Sequence, residues 1–417
     1  MKNLRLTAVF WIIVSVALVA TIVAAGALTG THAQGKMVRI GVSLPFTGAD
    51  TADVELIKDG IVMAIDDQNA KGGVAGYKIE ATMYDSSTTT AGGFDIAQAA
   101  TNARKAAGDP SIVALLGPYT SGEGKAMSPI LSDADLATIT GTATNPDLTN
   151  PKFADKYRPK GKAIFFRTVT TDAYQAPGML NFLVEKLSVK TAYIIDDGDA
   201  YGVGAADAFE KHAQEKGLKI LGRDRINPKE ADYTTILTKI KGLDPQALFY
   251  GGHSEAGAKV AKQGYDVIPK IIKVGLDGMY NAQLLKAVGY PAIGGWYVSV
   301  ASPHLLDSPE LQPWVSQFAK KFGKSPEDYS ITNYDATMIV FDAIQRVMKS
   351  GKPVDRHTVR DAIQATHLKT LQGDVSFDAN GDLNTKIISI FQIVHDAKFP
   401  EDDILHQYKY IGVAPEN

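Results

Sequence analysis

The sequence predicts an α/β protein of two lobes, each a doubly wound parallel sheet, and three observations carry that prediction. Short apolar runs alternate with amphipathic helical stretches from Val38 onward, the pattern of parallel strands joined by crossover helices. A polar stretch, Asn150–Lys162, with Pro151, Pro159 and Gly161, interrupts the alternation, and the same plan restarts after it. Strand after strand runs straight into glycine and small polar residues, as expected at the carboxyl ends of strands in an open sheet.

Val38–Leu44 (VRIGVSL) reads as a buried strand, broken by Pro45-Phe46-Thr47-Gly48. Val54–Ala70 places Val54, Ile57, Ile61, Ala64 and Ile65 at helical spacing, and Lys71-Gly72-Gly73 stops it. Tyr77–Asp85 alternates as a strand, Phe94–Ala107 is an Ala-rich helix, and Ile112–Leu116 and Ala137–Thr140 are short buried strands. In the second half, strands are expected at Ala192–Ile195, Leu218–Leu221, Ala247–Tyr250 and Ile271–Val274. Helices are expected at Gly202–Lys216, Tyr233–Ile240 and Ala256–Gln263. Ala301–Pro313 reads as a crossover, and Asp335–Met348 and His357–Ala365 as helices. Val375–Phe377, a turn at Asp378–Asp382 and Ile387–Val394 read as strand, turn, strand.

The bulk numbers exclude several classes. The chain has 417 residues, enough for two cored domains, and a formal net charge of -3, so nothing points to nucleic acid as a partner. There is no cysteine, which removes disulfides, thiolate metal sites, a cysteine nucleophile and a lipidated N-terminal cysteine. Lys2 and Arg5 precede an apolar run, Ala8–Leu28, and Thr31-His32-Ala33 offers a small-x-small cleavage signature. Residues 1–33 therefore read as an export signal, with a membrane anchor as the outcome if it is not cut.

The stretch from Ile112 to Thr149 is the most informative. Tyr119-Thr120-Ser121-Gly122 follows one strand and Gly141-Thr142-Ala143-Thr144 the next, and such hydroxyl-rich loops suit a carboxylate. The second half presents Asp197 to Gly202, Gly251 to Glu255 and Gly275 to Gly278 after its strands. If the lobes face each other, Ser121, Thr142 and Thr144 meet Tyr201, His253 and Asp277, a donor wall opposite an acidic one. A zwitterion fits, with its ammonium held by Asp277 and the Tyr201 hydroxyl. Each residue also has a structural reading: Ser121 as a helix cap, Asp277 as a turn residue before Gly278, His253 as a loop histidine. Asp196-Asp197-Gly198-Asp199 and Asp378-Ala379-Asn380-Gly381-Asp382 read as loop and hairpin turn, since neither spacing makes a calcium loop. No nucleophile-elbow, zincin or phosphate-loop motif occurs, so no enzyme, metal or cofactor is expected.

The order of motifs resembles the type I periplasmic solute-binding proteins of ABC importers, in the branched-chain amino acid receptor group. The resemblance runs from Val38 to Val394 through VRIGVSLPFTG, DQNAKGGVAGYKIE, ITGTATNPDLT, YIIDDGDAYGVG, DYTTILTKIKGLDPQALFYGG, NYDATMIVFDAI and GDVSFDANGDL. It implies two lobes joined by a three-segment hinge, with residues 37–168 and 302–372 in one and 169–301 and 373–417 in the other. It implies a periplasmic, monomeric receptor that delivers an amino acid to importer membrane subunits. Ser121 and Thr144 match the hydroxyls that bind the ligand carboxylate, Thr142 a backbone contact, and Tyr201 an aromatic that closes over the ligand. Asp277 stands where the family's amino acid binders place a Glu for the ammonium. His253 replaces an aromatic, usually Tyr, and near Asp53 this chain lacks the family's frequent Tyr or Trp. Tyr119, Thr120 and Ala143 complete the candidate wall. Members of the superfamily this chain resembles also bind aromatic acids, urea and short amides, and these ligands, or a role for this chain as a ligand sensor for a membrane partner, stand as alternatives.

Overall fold

The computed structural model describes residues 36–416, so the export-signal reading of residues 1–33 lies outside it. Among the described residues no helix is long and apolar enough to cross a membrane.

The first sheet has five parallel strands: β1 (Met37–Leu44), β2 (Lys78–Asp85), β3 (Ile112–Leu116), β4 (Thr138–Thr140) and β5 (Phe165–Arg167). Their order is β2-β1-β3-β4-β5. Every residue of β3 is buried, because helices cover both faces of a parallel sheet. Helices Thr51–Ala70, Ile96–Gly108 and Ser121–Asp133 make the crossovers. The order reverses between β1 and β3, which opens a crevice at their carboxyl ends.

The second sheet contains β6 (Thr191–Asp196), β7 (Lys219–Arg225), β8 (Ala247–Gly251), β9 (Ile272–Gly275) and β10 (Tyr297–Val300), all parallel. A hairpin, β11 (His367–Thr370) with β12 (Gly373–Ser376), stands apart from both sheets. β13 (Ser389–Ile393) and β14 (Tyr408–Val413) complete the second sheet in the order β14-β13-β10-β9-β8-β6-β7. β13 runs antiparallel to β10 and β14 antiparallel to β13, so the doubly wound parallel core carries a mixed edge. Its switch point lies between β6 and β8.

The chain crosses between lobes three times, after β5, after β10 and before β13. The crossings are laced together: Thr170 N–H donates to the Ala301 carbonyl at 2.7 Å, and Ser389 Oγ donates to the Ser302 carbonyl at 2.7 Å. After the second crossing, helix Asp328–Lys349 returns to pack on Thr51–Ala70. The approach is so close that a Cβ at Gly60 would collide with the Ser330 carbonyl.

Several expectations need correction. Asn150–Lys162 is not plain loop: Asn150 caps a turn at Pro151–Phe153, and a short helix, Ala154–Tyr157, follows. Val375–Phe377 and Ile387–Val394 do not pair with each other. Gly373–Ser376 ladders back to His367–Thr370, and Ser389–Ile393 joins the second sheet. The turn after Ser376 packs on the first sheet, where Arg167 N–H donates to the Gly381 carbonyl at 3.2 Å. Asp382 still belongs to the first lobe, where its Oδ1 takes Arg167 Nε at 2.7 Å.

Candidate functional site

The first-lobe wall is built from the loops after β3 and β4, and a hydrogen-bond web fixes them. Thr140 Oγ1 donates to the Pro118 carbonyl at 2.7 Å and accepts the N–H groups of Thr142 and Ala143 at 3.1 and 3.0 Å. Thr142 Oγ1 donates to the Tyr119 carbonyl at 2.7 Å. Beneath them Arg167, fully buried, holds the Ala143 carbonyl at 2.9 Å and Thr149 Oγ1 at 2.8 Å. Thr120, not Ser121, caps helix Ser121–Asp133, in a reciprocal box with Glu123: Glu123 N–H donates to Thr120 Oγ1 at 3.3 Å, and Thr120 N–H to Glu123 Oε2 at 2.7 Å. Thr120 therefore serves the helix start with its hydroxyl. Ser121 Oγ accepts the Asn145 N–H at 3.1 Å, which leaves its own O–H to donate. The first N–H groups of the helix have no intrahelical acceptor and favour an anion.

The second-lobe wall comes from the loops after β6, β8 and β9. Asp199 caps helix Ala200–Lys216 by accepting Tyr201 N–H at 2.9 Å. Tyr201 Oη donates to Asp277 Oδ1 at 2.6 Å and accepts Gly278 N–H at 2.9 Å. That hydroxyl orients the Asp277 carboxylate. Tyr329, at the start of helix Asp328–Lys349, donates to Asp277 Oδ2 at 2.5 Å. The His253 ring lies 5.0 Å from Tyr201 and 5.2 Å from Phe94 of the first lobe. Asn145 Nδ2 donates to the Ala200 carbonyl at 2.6 Å, so the two lobes touch across the crevice.

One cavity between these walls is lined by Tyr119, Thr120, Ser121, Thr142, Ala143, Tyr201, His253 and Asp277, all anticipated, together with Gly278 and Tyr329. Thr144 does not line it. It lies beneath, 1% exposed, with its hydroxyl facing the buried Asp172 carboxylate and tempering the rise in that acid's pKa. Asp172 and Tyr329 were not anticipated. Both stand at the starts of helices that arrive only after an interlobe crossing, so no strand-to-loop signal marks them.

Charge in the crevice is governed by burial. Burial pushes the Asp277 carboxyl up, against the two tyrosine hydroxyls and His253. Burial and the neighbouring Asp277 push Asp172 well up. Burial works against a charge on His253, but the Asp199 hydrogen bond and the fields of Asp199, Asp197 and Asp50 outweigh it and raise its pKa to about 9. His253 is thus an imidazolium at neutral pH, paired with Asp199 at 3.3 Å. Among the described residues no group of three or more acidic or histidine side chains is placed to hold a metal. Asp196 is engaged by Arg223 at 2.8 Å and Arg225 at 2.6 Å, and Asp378 accepts Asn380 N–H at 2.8 Å within its own turn.

Two hinged α/β lobes whose switch points face one crevice, walled by hydroxyls on one side and a carboxylate on the other, define a solute-binding protein. Residues 37–398 match the periplasmic binding protein family profile, and the chain belongs to that family, whose members hold solutes rather than transform them. The chain is 29% identical to the Leu/Ile/Val-binding protein BraC3 of Rhizobium johnstonii over 377 residues, covering 90% of this chain and 96% of that one. It shares its fold with the branched-chain amino acid transporter substrate binding protein LivJ of Streptococcus pneumoniae in complex with isoleucine, at TM-score 0.75 and 21% identity over 90% of this chain and 100% of that one. A solute binding protein of an ABC transporter from R. palustris in complex with benzoate aligns at TM-score 0.74 and 18% identity, over 91% of this chain and 97% of that one.

Proposed function

We propose that the protein captures an α-amino acid between its lobes in the periplasm and delivers it to the membrane subunits of an ABC importer. One observation carries the reading: the Asp277 carboxylate, oriented by Tyr201 and Tyr329, shares a cavity with the Ser121 end of a helix N-terminus. In this reading Ser121 and the first N–H groups of its helix take the ligand carboxylate, and Asp277 takes the ammonium. The Thr142 carbonyl and the shape of the Ala143–Thr144 turn complete the backbone frame, with Tyr119, Tyr201 and His253 as walls. Thr120 and Thr144 act from behind, through the helix cap and through Asp172. The names of the relatives support an amino acid as the solute. The lobes, 37–168 with 302 to about 383 and 169–301 with the remainder, close by hinge rotation, and the ligand stabilises the closed form. Micromolar affinity needs about 8 kcal/mol, within reach of several charge-assisted hydrogen bonds in a dry cleft.

Isothermal titration of protein lacking residues 1–33 against the twenty amino acids tests this directly. Heat with none of them ends the amino acid reading. A second reading, an aromatic carboxylate, is favoured by the benzoate complex on the same fold. It predicts that benzoate binds and that Asp277 is dispensable. Sequencing the N-terminus of exported protein determines whether the chain is released or stays tethered.

A further inference from the structure

The cavity continues past Asp277 into a second compartment, which shares Tyr119, His253, Asp277, Gly278 and Tyr329 with the first. A ligand anchored by its α-carboxylate and α-ammonium would send its side chain there. The compartment is ill-suited to an aliphatic group: Ile57 is the one aliphatic side chain in its lining, and Asp50, Asp53 and Glu327 join Asp277 around it.

The carboxylates can be accounted for one at a time. Asp277 receives two tyrosine hydroxyls, and Asp50 Oδ2 receives the Phe94 N–H at 2.8 Å. The Ala282 N–H acts on Asp53 and the Glu327 side chain caps its own helix, yet Asp53 Oδ1 and Glu327 Oε1 have no hydrogen-bond partner, although the residues are only 5% and 1% exposed. They arrive from different parts of the chain, Asp53 from helix Thr51–Ala70 and Glu327 from the residue before helix Asp328–Lys349. Buried polar atoms are ordinarily paired, so two orphaned carboxylate oxygens lining one hollow mark an absent donor. The charged groups nearby do not supply it. His253 is engaged by Asp199, and its backbone N–H by Asp197 Oδ2 at 2.8 Å. Lys324 reaches Glu55 at 2.8 Å and Asp59 at 3.2 Å, although its field tempers Glu327. Among the described residues no group of three or more acidic or histidine side chains is placed to hold a metal, and an organic cation is the donor that fits the pair.

Resting on the amino acid reading above, we infer that the ligand's side chain ends in a cation, an ammonium or guanidinium seated between Asp53 and Glu327. The solute class is the basic amino acids rather than the branched aliphatic ones of the relatives' names. Burial and mutual repulsion fit this arrangement. Burial, then Asp50, raises Asp53 to about 7, and burial, then Asp53, raises Glu327 well above its ordinary range. Burial thus works against a charge on either acid, and a cationic donor between them is what lets both ionise.

The test is isothermal titration of protein lacking residues 1–33 with L-lysine, L-ornithine and L-arginine, against L-norleucine, L-leucine and L-glutamine. At least one cationic ligand is expected to bind 30-fold or more tighter than every neutral one. Asp53→Asn and Glu327→Gln, isosteric changes checked by melting temperature, are each expected to cut the ratio of cationic to norleucine affinity at least tenfold. A neutral amino acid bound as tightly as the best cationic one overturns the inference and leaves the amino acid reading standing. An unchanged ratio in both folded variants overturns it as well. Failure of all six ligands overturns the inference, and the amino acid reading falls with it only when none of the twenty amino acids binds either.

Discussion

Asp277→Asn is the most informative single change. The substitution keeps the shape of the side chain and one oxygen for a tyrosine hydroxyl, and the other hydroxyl can rotate, so the fold tolerates it. What disappears is the negative charge opposite a ligand ammonium. Both carboxylate oxygens are already held by hydroxyls, at 2.6 Å from Tyr201 and 2.5 Å from Tyr329, in a site 8% exposed. A pre-oriented, desolvated carboxylate of this kind is where truncating a charge pair costs about 2–5 kcal/mol. That is roughly a 30-fold to several-thousand-fold loss of affinity at 1.4 kcal/mol per decade. The assay is isothermal titration at pH 7.4 with whichever amino acid binds wild type most tightly, and with benzoate in parallel. Any response to benzoate should be unchanged or stronger, because it has no ammonium and would lose a repelling neighbour. An amino acid affinity within threefold of wild type would refute the reasoning, whatever benzoate does.

Three further outcomes are expected. Gly204 faces Asn145 across the crevice, and a Cβ there would collide with the amide that donates to Ala200. Gly204→Ala should therefore weaken ligand affinity by about tenfold, the loss of roughly one interlobe hydrogen bond, while raising the melting temperature through about 1 kcal/mol of helix propensity. Arg167→Met leaves Asp382 and the Thr149 hydroxyl without their buried partner, and should cost about 3–5 kcal/mol in urea unfolding. His253 has its pKa raised from 6.5 to about 9, so its contribution is full below pH 6.5 and fades as pH rises through 9. Wild-type stability should fall across that window by a few kcal/mol, since each tenfold gain in proton affinity on folding is worth about 1.4 kcal/mol, and His253→Gln should flatten the decline in urea unfolding measured from pH 6 to pH 10.

Much of the crevice was legible because its residues follow strands. Ser121, Tyr201, His253 and Asp277 each lie a few positions beyond an apolar run, and an open sheet gathers such positions at one edge. Tyr329 and Asp172 carry no such mark. They reach the cavity only because helices return after an interlobe crossing, a relation between distant segments that no local pattern encodes. Thr144 takes a position of its own for a subtler reason. Thr140 gathers the N–H groups of Thr142 and Ala143 into a tight turn, and Thr144 goes under the surface instead of onto it. Strand β5 was missed because three residues are too few to establish a period, and helix Asp172–Glu185 because Pro177 and Gly178 within it read as breakers. The Asp378–Asp382 turn was found correctly, but its flanking strands serve different partners, and only the ladders reveal that.

The Asn145–Ala200 bond joins one lobe to the other without using any atom of the solute. Any contact of that kind favours the shut state whether or not cargo is aboard, so it raises the standing population of empty, closed receptor. On the import reading proposed above, uptake then works against a background of unloaded protein that presents the same outer contour as the loaded form. An importer docking to such a receptor must sense more than contour to avoid futile cycles, and the number of such latches sets how strongly it must discriminate.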